Sequence, residues 1–465
     1  MKYISTRGEA PTLGFCDTLL TGLARDGGLY LPQSWPQFDA ADFRKLRGKP
    51  FADVAVALLT PFIGNEIAPA RFERIVRDSY ATFRHEAVCP LVQTGANTFV
   101  LELFHGPTLA FKDVAMQLIA RLMDHVLAER GERATIVGAT SGDTGAAAVQ
   151  AFAGRERADI FILFPKGRVS PVQQRQMTGA TEGNVHVLAI EGTFDDCQAI
   201  VKNMFLNSPF RDQIGLAGIN SINFARVMAQ IVYYVTAALS LGAPDRAVSF
   251  TVPTGNFGDI FAGYAAKRMG LPIEKLVIAT NDNDILARTL AEGRYAVRGV
   301  VATTSPSMDI QVSSNFERLL FEAGGREAAP VRQMMASLKQ SGSFDVPAAT
   351  LAAMRKDFAA GRATMAEADL AMAEMVSRNG YVIDPHTACG VHVAAATRSG
   401  DAPIVVLSTA HPAKFPDAVE AATGRTPALP AWLGGLMQRK ERLTGLPCDQ
   451  KIVENHVLRL ARANE

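Results

Sequence analysis

The sequence is poor in cysteine and carries almost no net charge. Its 465 residues include five cysteines, which are Cys16, Cys89, Cys197, Cys389 and Cys448. Because they are odd in number and far apart, they do not indicate a disulfide framework, and we expect a reduced, cytoplasmic protein. The formal net charge is +1, and the lysines and arginines are scattered along the chain. Neither a nucleic-acid partner nor an anionic membrane partner is therefore expected.

Long apolar runs are also absent. No segment approaches the roughly 18 uninterrupted apolar residues of a membrane span. The first residues, Met1 to Gly8, lack the apolar core of a signal peptide. Hydrophobic residues make up 48% of the chain and charged residues 20%. This composition is typical of a globular protein with enough apolar material for a large core.

Residues 1–90 carry no evident chemistry. Phe72, Ile75, Val76 and Tyr80 repeat at helical spacing, and the glycines after Asp26 indicate a turn that follows the end of a helix. We predict a small, mostly helical N-terminal domain that ends near Cys89-Pro90. Residues 91–465 would then form a catalytic region of two α/β subdomains.

From residue 98 onwards, short β-rich runs alternate with longer helical ones, which predicts an α/β fold with a largely parallel sheet. Three segments share the plan of strand, small polar loop and helix. Their strands lie at about 134–138, 247–252 and 404–407. Ligands of open α/β sheets bind where such loops meet at the carboxyl ends of the strands.

Lys112 is the most informative residue. It follows Leu109-Ala110-Phe111 and opens a helix with an apolar stripe that Gly131 ends. A lysine at the mouth of an apolar helix is expected to be partly desolvated, which favours the free amine. A free amine can form a Schiff base with an aldehyde, so this position indicates a pyridoxal phosphate (PLP) enzyme. The alternative is an ordinary solvated surface lysine.

Three polar loops are candidate anion sites. Residues 255–259 contain two glycines and precede a helix, so this loop is suited to binding a phosphate. It lacks the lysine and hydroxyl of a nucleoside-triphosphatase loop. Residues 141–145 also open a helix, and residues 220–226 place an arginine beside small polar side chains. The alternatives are a tight βα turn, a plain N-cap, and a capped helix with a solvated arginine.

Other apparent motifs are discounted. His386, Cys389 and His392 are spaced like metal ligands, but the two histidines would lie on different faces of a helix beginning near Asp384-Pro385. Residues 281–284 lack the glycine and distal glutamate of a calcium loop. No metal site is predicted. His411 could be a general base or a buried structural histidine.

Several motifs, taken in order, resemble the threonine synthase family of fold-type-II PLP enzymes, in its longer bacterial and fungal subgroup. They lie at residues 3–8, 23–32, 105–117, 305–318 and 408–415. The resemblance implies an N-terminal domain that is followed along the chain by a tryptophan synthase β-like α/β fold. It gives the segment 305–318 no chemical role.

The resemblance also implies roles for individual residues. Lys112 would bind PLP covalently, and Thr409 would hydrogen-bond the pyridine nitrogen. Asp143 stands where related enzymes carry an asparagine next to the phenolic oxygen of the cofactor. The cofactor phosphate would be held by Gly255, Asn256, Phe257, Gly258 and Asp259. Ser141 and Thr144 would bind the substrate carboxylate, and Asn220, Ser221 and Arg226 would bind the substrate phosphate.

The implied reaction converts O-phospho-L-homoserine and water to L-threonine and phosphate. The alternatives are another fold-type-II lyase, such as a serine or threonine dehydratase, and a non-catalytic relative that binds phosphorylated ligands. The sequence leaves open whether the protein is a monomer or a homodimer.

Overall fold

The computed structural model describes residues 1–398 and 400–463. In chain order, the strands β1 to β15 are Tyr3–Ser5, Tyr30–Pro32, Leu91–Gly95, Thr98–Glu102, Ala134–Ala139, Ala158–Pro165, Val185–Glu191, Leu216–Ala217, Val248–Pro253, Ile273–Thr280, Arg294–Ala296, Ser343–Asp345, Phe358–Arg362, Ile404–Ser408 and Thr444–Pro447. The helices α1 to α19 are Phe15–Thr21, Ala40–Leu46, Phe51–Ile63, Pro69–Tyr80, Lys112–Arg130, Asp143–Phe152, Pro171–Thr178, Phe194–Leu206, Ser208–Gln213, Phe224–Ser240, Gly258–Arg268, Ile285–Glu292, Phe316–Ala323, Ala328–Ser341, Ala348–Asp357, Met365–Asn379, Pro385–Ala396, Pro416–Thr423 and Gln450–Leu460.

Two large sheets organise the chain. The six-stranded sheet has the order β13-β10-β9-β14-β4-β3, and every neighbouring pair is parallel except β3 with β4. The five-stranded sheet has the order β15-β7-β6-β5-β8 and is parallel throughout. Strands β6, β9 and β14 are buried at every position because helices cover both faces of their sheets. The predicted α/β fold with largely parallel sheets is confirmed.

The first 90 residues form helices α1 to α4 and a short antiparallel pair of strands, β1 with β2. The helical spacing predicted for residues 72–80 is confirmed, since this apolar stripe is the buried face of α4. Trp35 packs against Phe62, Phe224 and Phe261. This cluster joins the N-terminal residues to α10 and α11, so the hydrophobic core runs on from the N-terminal helices.

Helix α10 runs through the centre of the protein, and nearly all of its residues are buried. Helix α5 begins at Lys112 and ends at Arg130, and Gly131 adopts the left-handed conformation (φ 67°) that closes it. Both ends match the sequence prediction. The helix ends at a glycine because glycine takes the left-handed conformation at no steric cost. Near the C-terminal end of the described chain, β15 extends the five-stranded sheet next to β7, and α19 packs on α8.

The order of the strands determines where the loops meet. Strands β9, β14 and β4 are neighbours and run in the same direction. The loops that follow them are therefore side by side at one edge of the sheet. Across residues 1–398 and 400–463, no helix has both the length and the apolar character needed to cross a membrane.

Candidate active site

The loop that precedes Lys112 is joined to the loop that follows β14. The backbone N–H of Phe111 donates to the carbonyl oxygen of Thr409 at 2.8 Å, and that of His411 donates to Leu109 at 3.0 Å. Ala110 and Ala410 form a β-bridge between them. These bonds hold Lys112 and Thr409 together at the carboxyl edge of the six-stranded sheet.

Thr108 anchors the same loop. Its backbone N–H and its hydroxyl each donate to the carboxylate of Asp113 at 2.7 Å. Its carbonyl oxygen accepts from Lys414 Nζ at 2.7 Å and from Gln176 Nε2 at 3.0 Å. Because the N–H and the C=O of Thr108 are both bonded to buried groups, the peptide units on either side of Thr108 are fixed in the turn that presents Lys112.

Lys112 is buried, with 7% of its surface exposed. Its Nζ lies 3.3 Å from Asp143 Oδ2. Burial lowers the pKa of Lys112, and the positive charges of Lys414 and Arg226 lower it further, whereas Asp143 opposes them. The desolvated amine expected from the sequence is therefore present at this position.

Asp143 has a second lysine as a partner. Lys414 is fully buried, and its Nζ lies 2.8 Å from Asp143 Oδ1. Gln173 Nε2 donates to the same oxygen at 2.9 Å. Burial alone would raise the pKa of Asp143, but the charges of Lys414 and Lys112 outweigh it and lower this pKa well below its usual range. Asp143 is thus a carboxylate whose Oδ1 is bonded to Lys414 and Gln173, while its Oδ2 faces Lys112.

The loop from Gly255 to Asp259 presents backbone to the site. Phe257 has a left-handed backbone (φ 64°), and its ring is buried against Phe316 and Phe358. Helix α11 starts at Gly258, so its first N–H groups lack acceptors within the helix. The carboxylate of Asp259 accepts from Tyr233 and Tyr234, and burial raises its pKa to about 6. An anion at this loop would therefore be bound by N–H groups.

Gly255 leaves no room for a side chain. A Cβ added there would lie 2.6 Å from the carbonyl oxygen of Ser307, which is backbone and cannot rotate away. We expect Gly255→Ala to displace the loop, to lower stability by about 1–3 kcal/mol and to weaken binding of PLP to the apoprotein. Urea unfolding and a PLP titration measure the two effects. Gly183→Ala, where a Cβ would meet nothing within 4 Å, is the control, and equal PLP affinity in both variants would contradict this prediction.

Arg226 is buried at the start of α10, with 4% of its surface exposed. Its Nε is buried and has no hydrogen-bond partner among the described residues, and none of the ion pairs within 1–398 and 400–463 involves it. Burial lowers its pKa to about 10, so it is charged at neutral pH. A buried guanidinium without a partner is costly, and it is suited to an anion that the protein itself does not supply.

The two predicted phosphate loops are adjacent. A Cβ built on Gly258 would lie 3.8 Å from Cβ of Ser221, and the charge of Arg226 acts on both Lys112 and Asp259. Asn220 is exposed at the outer end of its loop. Ser141 and Thr144 are partly buried where α6 begins, directly beside Asp143. The predicted site residues thus converge on one region, with Asn220 at its margin.

His386 and His392, which the sequence analysis discounted as metal ligands, and His411, for which it left two readings open, lie in different surroundings. His386 is buried, and its Nδ1 lies 2.8 Å from Asp384 Oδ1. His392 is partly exposed and lies near Glu367. His411 accepts from the backbone N–H of Ala413 through Nδ1, and burial lowers its pKa to about 4. A neutral imidazole that caps a turn matches the structural reading of His411.

Lys414 and Gln173 are parts of the site that the sequence analysis missed. Lys414 lies within the segment 408–415, of which only Thr409 was given a role. A signal was available, since Lys414 is flanked by Ala413 and Phe415, an apolar setting like that of Lys112. Gln173 offered no such signal, because it is an ordinary helical residue until the fold brings α7 against α6.

Substitution of Lys414 should change the titration of Lys112. Lys414→Gln removes a positive charge that lowers the pKa of Lys112, so the free amine should appear at higher pH than in the wild type. Asp143→Asn removes the opposing negative charge and should move the profile to lower pH. The measurement is the pH dependence of the rate at which apoprotein Lys112 reacts with PLP. Shifts in the same direction for both variants would refute this electrostatic coupling.

Three family models match different parts of the chain. The family described as "Pyridoxal-phosphate dependent enzyme" matches residues 90–410. "Threonine synthase N terminus" matches residues 2–80, and "Threonine synthase, C-terminal" matches residues 387–457. A threonine synthase of Pseudomonas aeruginosa is 52% identical over 449 residues, which cover 96% of each chain.

Solved structures agree with the family match. A PLP-bound threonine synthase from Brucella melitensis superimposes with a TM-score of 0.98 at 69% identity, covering 99% of this chain and 100% of the other. Threonine synthase from yeast superimposes with a TM-score of 0.94 at 40% identity, covering 99% and 98%. The similarity therefore extends over both large sheets and the N-terminal helices.

Proposed function

This chain belongs to the threonine synthase family of pyridoxal-phosphate-dependent enzymes, and we propose that it converts O-phospho-L-homoserine and water to L-threonine and phosphate. The observation that carries the proposal is Arg226, a buried guanidinium that has no partner among residues 1–398 and 400–463 and whose charge acts on the buried amine of Lys112. A PLP enzyme with an unphosphorylated substrate needs no second phosphate site. A phosphorylated substrate requires one.

The residues present fit the cofactor. Lys112 offers a buried amine for the aldehyde. The N–H groups at the start of α11 suit the phosphate, and Gly255 keeps that loop free of side chain. The hydroxyl of Thr409 suits the pyridine nitrogen as a neutral partner. Asp143, held ionised by Lys414, faces Lys112 and is placed to stabilise its ammonium form. When bound, PLP supplies an electron sink for the carbanion formed next to the amine of the substrate.

The protein residues bind and orient the substrate and move its protons. Ser141, Thr144 and the N-terminal end of α6 hold the substrate carboxylate. Arg226, with Ser221 and Asn220, holds the substrate phosphate and stabilises the charge that develops as phosphate leaves. Lys112 Nζ would remove the α-proton and then a β-proton, and phosphate leaves from the γ-carbon. One proton is then returned to the γ-carbon, which becomes the methyl group of threonine. Water adds its hydroxyl at the β-carbon and gives its other proton to the released phosphate, and Lys112 returns the second proton to the α-carbon.

Asp143 and Lys414 support that double duty of Lys112. A base that accepts and then returns protons needs a pKa near the working pH. Burial and Lys414 lower the pKa of Lys112, while Asp143 raises it. The two partners therefore act in opposite directions on the pKa of the same amine, and burial keeps this pKa below its usual range.

The decisive experiment mixes purified protein, PLP and O-phospho-L-homoserine and measures phosphate and L-threonine together. Equal amounts of the two products support the proposal. L-Serine and L-threonine are offered separately as substrates, and release of 2-oxo acid and ammonia from them alone would instead identify a dehydratase. A protein that binds PLP and phosphate without turnover of any of these would be a non-catalytic member.

The remaining aspects of the proposal concern the whole molecule. We propose an N-terminal domain of residues 1–90, a catalytic region of residues 91–465 with two α/β subdomains, and a monomer or homodimer. All five cysteines have free thiols, and four of them are buried, which supports a reducing, cytoplasmic setting. The protein acts on a small molecule, and no nucleic-acid or membrane partner is proposed.

A further inference from the structure

We propose that Arg318 is a positioning residue that locks the substrate-phosphate loop and the cofactor-phosphate loop to strand β2 near the N-terminus. This proposal rests on the proposed function. It also assigns a role to the segment 305–318, to which the sequence analysis could give none.

Arg318 is a fully buried arginine, with 0% of its surface exposed. Its Nε and Nη2 both donate to the carbonyl oxygen of Tyr30 in β2, at 3.0 and 2.8 Å. Nη2 also donates to the carbonyl oxygen of Ile222 at 2.6 Å, and Nη1 donates to Asn315 Oδ1. The guanidinium thus joins three separate segments of the chain.

Asn315 carries the connection on to the cofactor loop. Its backbone N–H and its Nδ2 both donate to the carbonyl oxygen of Asn256, at 3.1 and 3.0 Å. Ser313 Oγ donates to the carbonyl oxygen of the adjacent Gly255 at 2.7 Å. The carbonyl groups of this loop are therefore bonded on the side of residues 313–315, which leaves the N–H groups at the start of α11 for an anion.

The substrate loop is fixed from the N-terminal side as well. Ile222 accepts from Arg318, and the next residue, Asn223, donates through Nδ2 to the carbonyl oxygen of Leu19 in α1 at 2.8 Å. Glu317 accepts from Thr6 and Arg7 at 2.6 and 3.0 Å. The N-terminal strands and α1 thus serve as a rigid support for the loop that precedes Arg226.

All three acceptors of the Arg318 guanidinium in the described part of the chain are neutral oxygens, and no carboxylate there forms an ion pair with it. A buried cation bonded only to neutral oxygens is an inefficient way to stabilise a fold. It is an efficient way to set the geometry of several backbone segments, since one planar group has five N–H donors in fixed directions.

Arg326 provides a matched control. It also reaches β2 and the residue after it, because Nη2 donates to the carbonyl oxygen of Pro32 at 2.6 Å and Nη1 donates to that of Gln33. Its ion pair is with Glu322. It therefore links the N-terminal segment to the same region of the chain as Arg318 does, but it bonds to neither phosphate loop.

The test compares Arg318→Lys, Asn315→Ala and Arg326→Met. For each variant, the dissociation constant of PLP is measured on the apoprotein, and the dissociation constant of inorganic phosphate is measured on the PLP-loaded protein. KM and kcat are measured with O-phospho-L-homoserine. We expect Arg318→Lys to raise the dissociation constants of both PLP and inorganic phosphate by about tenfold or more. Asn315→Ala should weaken mainly the binding of PLP. Arg326→Met should lower the melting temperature but change neither dissociation constant.

The outcomes are separable from failure of the proposed function. Equal effects of Arg318→Lys and Arg326→Met, or a lower melting temperature with unchanged binding in Arg318→Lys, would overturn the positioning role. The PLP and phosphate constants need no turnover, so they remain informative if the wild type proves inactive on phosphohomoserine. If Arg318→Lys does not fold, Asn315→Ala decides, because unchanged PLP affinity in that variant would refute the link to the cofactor loop.

Discussion

Lys112→Ala is expected to reduce turnover of O-phospho-L-homoserine by at least about 10³-fold. In the proposed mechanism, Lys112 is both the amine that binds PLP covalently and the base that moves the substrate protons, so the variant would lack both. It should also lose the yellow absorbance of the covalently bound cofactor. The fold should persist, because the ion pair of Asp143 with Lys414 at 2.8 Å remains intact. Product formation and the visible spectrum are the measurements.

A second buried lysine makes this prediction sharper. Lys414 is as deeply buried as Lys112 and bonds to the same carboxylate. Borohydride reduction of the PLP-loaded wild type, followed by peptide mapping, should place the label on Lys112. A label on Lys414, or retained turnover in Lys112→Ala, would overturn the assignment of the catalytic lysine.

Arg226→Met should have opposite effects on binding and on stability. Loss of the charge-assisted hydrogen bonds to phosphate, each contributing about 1.5–3 kcal/mol, should lower kcat/KM by roughly 10²- to 10⁴-fold. Removal of a buried guanidinium that has no partner in the described part of the chain should stabilise the protein by about 1–2 kcal/mol in phosphate-free buffer. Steady-state kinetics and urea unfolding of the apoprotein measure the two effects.

Two further variants control for this result. Arg226→Lys keeps the charge but not the planar fork, and should recover part of the affinity. Arg121→Met removes an arginine whose Nη1 donates to Gln117 at 2.9 and 2.8 Å, so it should lower stability and leave phosphate binding unchanged. Destabilisation by Arg226→Met with an unaltered KM would mean that Arg226 is a structural residue.

The local features of the site could be read from short stretches of sequence. The helix from Lys112 to Arg130 follows from its apolar spacing and from Gly131. The strands before residues 140, 254 and 409 follow from their β-rich runs, and the glycines at 255 and 258 indicate a close approach of backbone. Each of these signals is carried by residues that are adjacent in the chain.

Other features needed contacts between distant residues. The pairing of Asp143 with Lys414 spans most of the chain, as does the bond of Arg318 with Tyr30. The adjacency of Ser221 and Gly258 likewise follows from packing. Lys414 has apolar neighbours in the sequence, but these do not show that it pairs with Asp143. The sequence likewise does not show that Arg318 bonds to Tyr30 and Ile222.

The sequence by itself determined the element pattern and the parallel α/β architecture, and it singled out the lysine and the loops to which we assign the chemistry, since these signals depend on local propensity and spacing. Only the tertiary structure showed three further features. Lys414 and Lys112 lower the pKa of Asp143, Arg226 Nε has no hydrogen-bond partner among the described residues, and residues 313–318 bond to both polar loops. The physical reason is that burial and electrostatic coupling belong to groups brought together by folding, and the energy of a buried charge depends on what surrounds it.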